Sequence, residues 1–139
     1  MTNIINIENR VSIVKKYLNI LSEYKNNTVL EIINSTEKRG AIERYLYLAV
    51  QSTIDLAESI ISFKKLRKPT TLSDCFYILE EDKFINPDLC NKMIQMTGFR
   101  NILSHDYEKI DYTIIHKVLV ENLNDIENFL GIVEDKINL

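Results

Sequence analysis

The chain has 139 residues and a formal net charge of −3, which fits one domain and excludes a protein that grips nucleic acid with its whole surface, because such a surface is basic. Apolar residues make up 45% of the sequence, so the chain is not intrinsically disordered. Three glycines and two prolines are too few for the turns of a β-sandwich or barrel, and the composition favours an all-α fold.

Apolar residues recur every three or four positions, which predicts helices that each bury one stripe. The first helix is expected over about 3–24, with the stripe Ile4, Ile7, Val11, Val14, Leu18 and Leu21. A short helical piece is expected at 28–36. The second long helix runs from Ser35 or Thr36 to about Leu66, with the stripe Ile42, Leu46, Ala49, Thr53, Leu56, Ile60 and Phe63. The polar residues Gln51, Thr53 and Asp55 interrupt its apolar character.

The second half of the chain predicts three further helices. The basic run 64–68 and Pro69 end the preceding helix, although the same run is also a candidate phosphate-binding patch. Ser73 and Asp74 are candidate caps of a helix that reaches Glu81, and Asn86 caps a helix over 87–103. Asp111 or Thr113 starts the last helix, which extends to Leu139; its stripe is Leu119, Leu123, Ile126, Leu130, Val133 and Ile137. Together these segments predict a single domain, 1–139, folded as an antiparallel four- to five-helix bundle.

Several functional classes lack support in the sequence. No secretory signal and no apolar run of about 18 residues is present, so we expect a soluble cytoplasmic protein that does not enter a membrane. Gly-rich phosphate loops, nucleophile elbows and HExxH zinc sites are absent as well. Cys75 and Cys90 have no metal-site spacing and are expected to be free thiols. The carboxylates Glu43, Asp55 and Glu58 are expected to be solvated or paired.

One short segment concentrates side chains that can act on a phosphodiester. Arg100, His105 and Tyr107 fall within eight residues where a helix is predicted to end. On a continuous helix Arg100 and His105 would lie roughly 140° apart. A helix that ends at Leu103 or Ser104 would allow His105 to turn back toward Arg100.

The chemistry of these residue types suits RNA cleavage without a metal ion. Arginine binds a phosphate bidentately and keeps its charge. Histidine, with a reference pKa of about 6.5, can move a proton near neutrality. The alternative is a structural turn that happens to contain polar residues, and proximity alone does not separate the two. His116, the second histidine, is expected to be an ordinary surface or boundary residue of the last helix.

The motif Arg100-x4-His105-x-Tyr107, within GFRNILSHDY, resembles that of HEPN-domain ribonuclease toxins of the HepT type. Asn101 and Asp106 belong to the same pattern, and the upstream AIERYLYLAVQSTIDLAESII is similar to the family's second helix. The resemblance covers nearly the whole chain. It implies the HEPN helical bundle and metal-independent RNA cleavage without a cofactor, with Arg100 and His105 as catalytic residues.

The resemblance also implies partners. The active unit would be a homodimer with two motifs at one composite cleft, acting on RNA and not on DNA. The antitoxin would be an MNT-type nucleotidyltransferase that transfers AMP from ATP to Tyr107. Two other interpretations stay open: a non-catalytic HEPN module that binds nucleotides or assists a nucleotidyltransferase, and a helical interaction protein in which the motif is structural.

Overall fold

The computed structural model describes residues 3–105 and 107–139, and all regular structure in those ranges is helical. The elements are α1 (Ile4–Ser22), α2 (Val29–Ile33), α3 (Thr36–Phe63), α4 (Asp74–Glu81), α5 (Pro87–His105), a 3-10 turn (Tyr107–Lys109), α6 (Tyr112–Lys117), a π-helical segment (Val118–Asn122) and α7 (Leu123–Ile137). The predicted all-α bundle is therefore confirmed. In these same ranges no helix has the length and apolar character needed to cross a membrane.

The starts of the helices follow from side-chain caps. Oδ1 of Asn86 accepts a hydrogen bond from the backbone N–H of Leu89 at 2.8 Å, and Asp111 caps α6 in the same manner. Ser73, however, makes no capping hydrogen bond. Ser73 holds the predicted N-cap position of α4, but Oγ1 of Thr71 accepts the hydrogen bond from the N–H of Asp74, at 3.1 Å.

The end of α3 comes three residues earlier than predicted. Lys65 adopts a left-handed backbone conformation with φ of 56°. The N–H of Leu66 then donates to the carbonyl oxygen of Ile61 at 3.0 Å, which closes the helix in a Schellman-type turn. Lys64 forms an ion pair with Asp82 at 3.0 Å.

Arg67, in the same basic run, is bound by carboxylates of α4. It pairs with Asp74 at 2.9 Å and with Glu81 at 2.8 Å. Two of the cations in the run 64–68 thus hold the α3–α4 connection together, which favours the helix-end interpretation over the phosphate patch.

In the structure, the last predicted helix is divided into three consecutive helical segments. The π-helical segment Val118–Asn122 separates α6 from α7. A π-turn is wider than an α-turn and shifts the phase of the helix, and here it directs the neighbouring side chains Val118 and Leu119 both into the core.

The long helix α3 occupies the centre of the bundle and packs against α1, α2, α4 and α5, while α5 also contacts α7. The three predicted stripes are buried except at two ends, where Ile4 is 42% exposed and Phe63 is only partly buried. Phe76 of α4 and Phe129 of α7 meet edge to face in the core, with ring centroids 5.8 Å apart. The packing of α5 on α3 brings Arg100 against the middle of α3.

Candidate active site at the end of helix α5

Arg100 is half-buried on α5 and faces α3. Its Nε–H donates to Oε1 of Gln51 at 2.8 Å, and its Nη2 donates to the hydroxyl oxygen of Tyr47 at 3.2 Å. The guanidinium carbon also lies 5.0 Å from the centroid of the Tyr47 ring, within range of a cation–π contact. Nη1 donates to Oδ1 of the neighbouring Asn101 at 2.9 Å. Arg100 is therefore held in one orientation by two helices.

The α3 side of this site is a row of residues spaced by four. Tyr47, Gln51 and Asp55 share one face of the helix, and Nε2 of Gln51 donates to Oδ1 of Asp55 at 3.0 Å. From the sequence, Gln51 and Asp55 were predicted only to be polar residues of this helix, with Asp55 solvated or paired, and Tyr47 was not singled out. The spacing of four was the available signal, because it places all three on the face that meets α5.

His105 is the last residue of α5 and is exposed. The expected helix end at 103 or 104 is wrong, since α5 continues through His105. The backbone therefore keeps the separation of roughly 140° between Arg100 and His105 that a continuous helix imposes. Within one chain the two side chains leave the helix in different directions.

The other motif residues are placed as follows. Asn101 is exposed and contacts Arg100. Asp106 lies outside the described residues. Tyr107 begins the 3-10 turn Tyr107–Lys109, and only its backbone is described.

A cleft of about 340 Å³ adjoins the site, and we call it the motif cleft. It lies between the first half of α3 and the end of α5, and its lining is Gly40, Glu43, Arg44, Tyr47, Leu103 and Ser104. The Arg44 guanidinium is 5.8 Å from the Tyr47 ring. The cleft thus offers a cation and an aromatic ring beside Arg100, the side-chain types that hold single-stranded nucleic acid.

The acidic member of the motif cleft is paired. Glu43 accepts a hydrogen bond from the Tyr112 hydroxyl at 2.7 Å. Burial first, and this bond second, raise the pKa of Tyr112 above its ordinary value. The contact ties α6 to α3 across one end of the cleft.

The remaining candidate residues are not part of the motif. Cys75 and Cys90 are buried free thiols, and His116 is half-buried on α6. Among the residues the structure describes, no group of three or more His, Cys, Asp or Glu side chains is placed to hold a metal ion.

An all-helical bundle with an arginine and a histidine five residues apart in the last turns of one helix is the arrangement expected of a HEPN-type domain. Residues 14–133 match the family model described as "Ribonuclease HepT-like", and the chain belongs to this family. It is 33% identical over 113 residues to the tRNA nuclease HepT of Aphanizomenon flos-aquae, covering 80% of this chain and 77% of that protein. It is 30% identical over 84 residues to the mRNA nuclease HepT of Shewanella oneidensis, covering 60% of this chain and 63% of that protein.

Solved structures share the fold. A toxin–antitoxin structure with AMP-PNP superimposes with a TM-score of 0.86 at 22% identity, covering 93% of this chain and 97% of that one. The tri-AMPylated Shewanella oneidensis HEPN toxin in complex with MNT antitoxin gives 0.85 at 22% identity, covering 93% and 96%. The predictions of a HEPN-type fold and of a HepT-type endoribonuclease toxin are confirmed at the level of the family.

Proposed function

We propose that this chain cleaves RNA with Arg100 and His105 and without a metal ion. The observation that carries the proposal is the hydrogen bonding of the Arg100 guanidinium. Contacts with described residues occupy three of its N–H groups, on Nε, Nη1 and Nη2. Since the group has five, each terminal nitrogen keeps one N–H for a phosphate oxygen.

The reaction divides between the two residues. The imidazole of His105 takes the proton of a ribose 2′-hydroxyl, whose oxygen attacks the adjacent phosphorus. Arg100 stabilises the charge that develops on the phosphoryl oxygens. The P–O5′ bond breaks, the departing O5′ takes a proton from water, and the products are a 2′,3′-cyclic phosphate and a 5′-hydroxyl.

The motif cleft gives the RNA strand a place next to the scissile phosphate. Arg44 offers a charge to the RNA backbone, and the Tyr47 ring and the guanidinium groups provide flat surfaces for bases. The net charge of −3 opposes binding of RNA by the surface as a whole. The cleft supplies positive charge locally, where the RNA would bind. The relatives named as tRNA and mRNA nucleases support RNA as the substrate class. We place the activity in the cytoplasm, where such substrates occur.

We propose that the active unit is a homodimer. Arg100 and His105 of one chain diverge around α5, and an isologous interface would bring the arginine of one copy toward the histidine of the other.

We also propose an MNT-type nucleotidyltransferase as the antitoxin, with Tyr107 as the residue that it adenylylates. The HEPN toxin of Shewanella oneidensis, seen tri-AMPylated in complex with MNT antitoxin, supports this. An AMP group two residues from His105 would add negative charge next to the proposed catalytic histidine and oppose a polyanion. Intact mass after incubation with partner, ATP and magnesium should show added AMP, and AMP that persists in Tyr107→Phe would contradict the site.

The catalytic assignment is tested with Arg100→Ala and His105→Ala. Each should reduce cleavage of a labelled RNA about 10²–10⁴-fold and keep the helical circular dichroism spectrum, while His116→Ala serves as the matched control. Cleavage should persist in EDTA. Folded variants that cleave at the wild-type rate would refute the assignment, and activity lost in EDTA and restored by a divalent ion would refute the metal-free reaction. A wild-type chain that binds nucleotides but cleaves no RNA would support the non-catalytic module instead.

A further inference from the structure

We propose that Gln51 is a positioning residue for the reaction: its amide, oriented by Asp55, holds the Arg100 guanidinium so that its terminal N–H groups face the scissile phosphate. The inference rests on the proposed function of Arg100 and names residues of α3 that the motif does not contain.

The direction of the hydrogen bonds fixes the amide of Gln51. Its oxygen accepts from Nε–H of Arg100 at 2.8 Å, and its nitrogen donates to Oδ1 of Asp55 at 3.0 Å. An ionised carboxylate only accepts hydrogen bonds. Rotating the amide by half a turn would therefore set its oxygen against the Asp55 carboxylate and its NH₂ against the Arg100 N–H. Asp55 selects the orientation that Arg100 needs.

Arg10 connects this chain of contacts to α1. Its Nη1 lies 3.9 Å from Oδ2 of Asp55, so a positive charge faces the carboxylate that orients Gln51. The contacts run from α1 through α3 to α5, in the order Arg10, Asp55, Gln51 and Arg100. Because these residues lie on three packed helices, the position of the Arg100 guanidinium is fixed relative to the whole bundle and not only to α5.

The bond from Nε has a specific consequence for catalysis. Tyr47 and Asn101 hold the terminal nitrogens, but Asn101 is exposed and the Tyr47 contact is long at 3.2 Å. The 2.8 Å bond to Gln51 is the short contact from another helix. Without it the guanidinium can turn about its own axis and present its N–H pair to the phosphate for only part of the time. Misplacement of this kind costs about 10- to 100-fold in rate, whereas RNA binding through the motif cleft continues.

The first experiment compares Gln51→Ala with Gln95→Ala, which removes the same side chain from an exposed position on α5. Cleavage of a labelled RNA is followed over a range of RNA concentrations. For Gln51→Ala we expect kcat to fall about 10- to 100-fold with KM changed less than about threefold, and for Gln95→Ala neither to change. In the Arg100→Ala background, Gln51→Ala should cause no further loss, because the group it positions is gone.

The second experiment reverses the polarity of the contact. Gln51→Glu keeps an acceptor for Arg100 but sets a second carboxylate against Asp55, and it should cleave slowly. Adding Asp55→Asn restores a donor opposite the new carboxylate, so the double variant should cleave about tenfold faster than Gln51→Glu alone. A residue that merely filled space would show no such recovery.

The hydrogen bond between Arg100 and Gln51 can be observed without an activity assay, from the Nε–Hε resonance of Arg100 in an NMR spectrum. This resonance is assigned by its loss in Arg100→Lys. This signal should be protected from solvent exchange in the wild type and in Gln95→Ala, and unprotected in Gln51→Ala. Gln51→Ala with wild-type kcat, or with an equal loss in the Arg100→Ala background, would overturn the inference. An inactive wild type would instead refute the proposed function, even with the Arg100 signal protected, and the inference would fall with it.

Discussion

The contribution of Tyr47 to the site can be divided into its hydroxyl and its ring. Tyr47→Phe removes the oxygen that accepts from Nη2 of Arg100 at 3.2 Å but keeps the ring 5.0 Å from the guanidinium carbon. Tyr47→Leu removes both contacts and keeps an apolar side chain on the half-buried face of α3. Comparison of the two variants therefore separates the contribution of the hydroxyl from that of the ring.

The geometry sets the expected magnitudes. A hydrogen bond to a charged donor contributes about 1.5–3 kcal/mol, but this one is long and half-buried, and water can replace it, so we take about 1 kcal/mol. That corresponds to about a fivefold slower reaction for Tyr47→Phe. The cation–π contact adds about 0.5–1 kcal/mol at such a site, so Tyr47→Leu should cleave about 10- to 30-fold more slowly than wild type.

Single-turnover cleavage of a fluorescent RNA, with protein in excess, measures these rates free of product release. Thermal unfolding of each variant provides the control for folding. Equal losses for Tyr47→Phe and Tyr47→Leu would show that the ring contributes nothing. Wild-type rates for both would refute the idea that α3 orients Arg100 through this residue.

Three further predictions concern the scaffold. Burial raises the pKa of the Cys75 and Cys90 thiols to about 12, so iodoacetamide at pH 8 should label the folded chain far more slowly than the unfolded chain. A mass spectrum that shows rapid labelling of both thiols in the folded chain would contradict this. Hydrogen bonds from Arg67 lower the pKa of Asp74 to about 2, so the stability that Asp74 contributes is present above pH ~4 and lost as the pH falls to ~2. The urea unfolding midpoints of wild type and Asp74→Asn should therefore converge between these two pH values. A difference in midpoint that does not change with pH would contradict this prediction. Phe129→Ala, at a fully buried site against Phe76, should lower the free energy of unfolding by about 3–5 kcal/mol, with exposed Ile5→Ala as control; a loss under about 1 kcal/mol would be inconsistent with this packing.

The buried stripes could be predicted because a helix that packs on one side repeats its apolar residues with the period of its turns. Helix ends were predicted less well. The end of α3 depends on the left-handed conformation of Lys65, a residue type that carries no such preference in the sequence. The π-helical segment was missed because Val118–Asn122 has the composition of ordinary helix.

The site was predictable only in part for a related reason. The motif is local, so Arg100 and His105 could be proposed from neighbouring residues alone. Gln51 and Tyr47 lie 49 and 53 positions from Arg100. Their spacing identifies one face of α3, but which side chain of α5 meets that face depends on the rotation of two packed helices. Tertiary packing sets that rotation, and no local pattern encodes it.

The continuation of α5 through His105 leads to a last prediction about assembly. Because Arg100 and His105 leave one helix roughly 140° apart, we expect one phosphate to meet the arginine of one copy and the histidine of the other. Arg100→Ala and His105→Ala chains, each inactive alone, should then restore cleavage when mixed and allowed to exchange. Half of the dimers would be mixed, each with one intact site of two, so about a quarter of wild-type activity should return.

A purification control fixes the stoichiometry of this test. Coexpression of the two variants with different affinity tags, followed by tandem purification, isolates mixed dimers, which should reach about half of wild-type activity. Sedimentation at micromolar concentration should give the mass of a dimer. A fully active monomer, or mixed dimers as inactive as the parent variants, would place both residues of each site in a single chain, and the side chains of Arg100 and His105 would then have to converge by bending the end of α5.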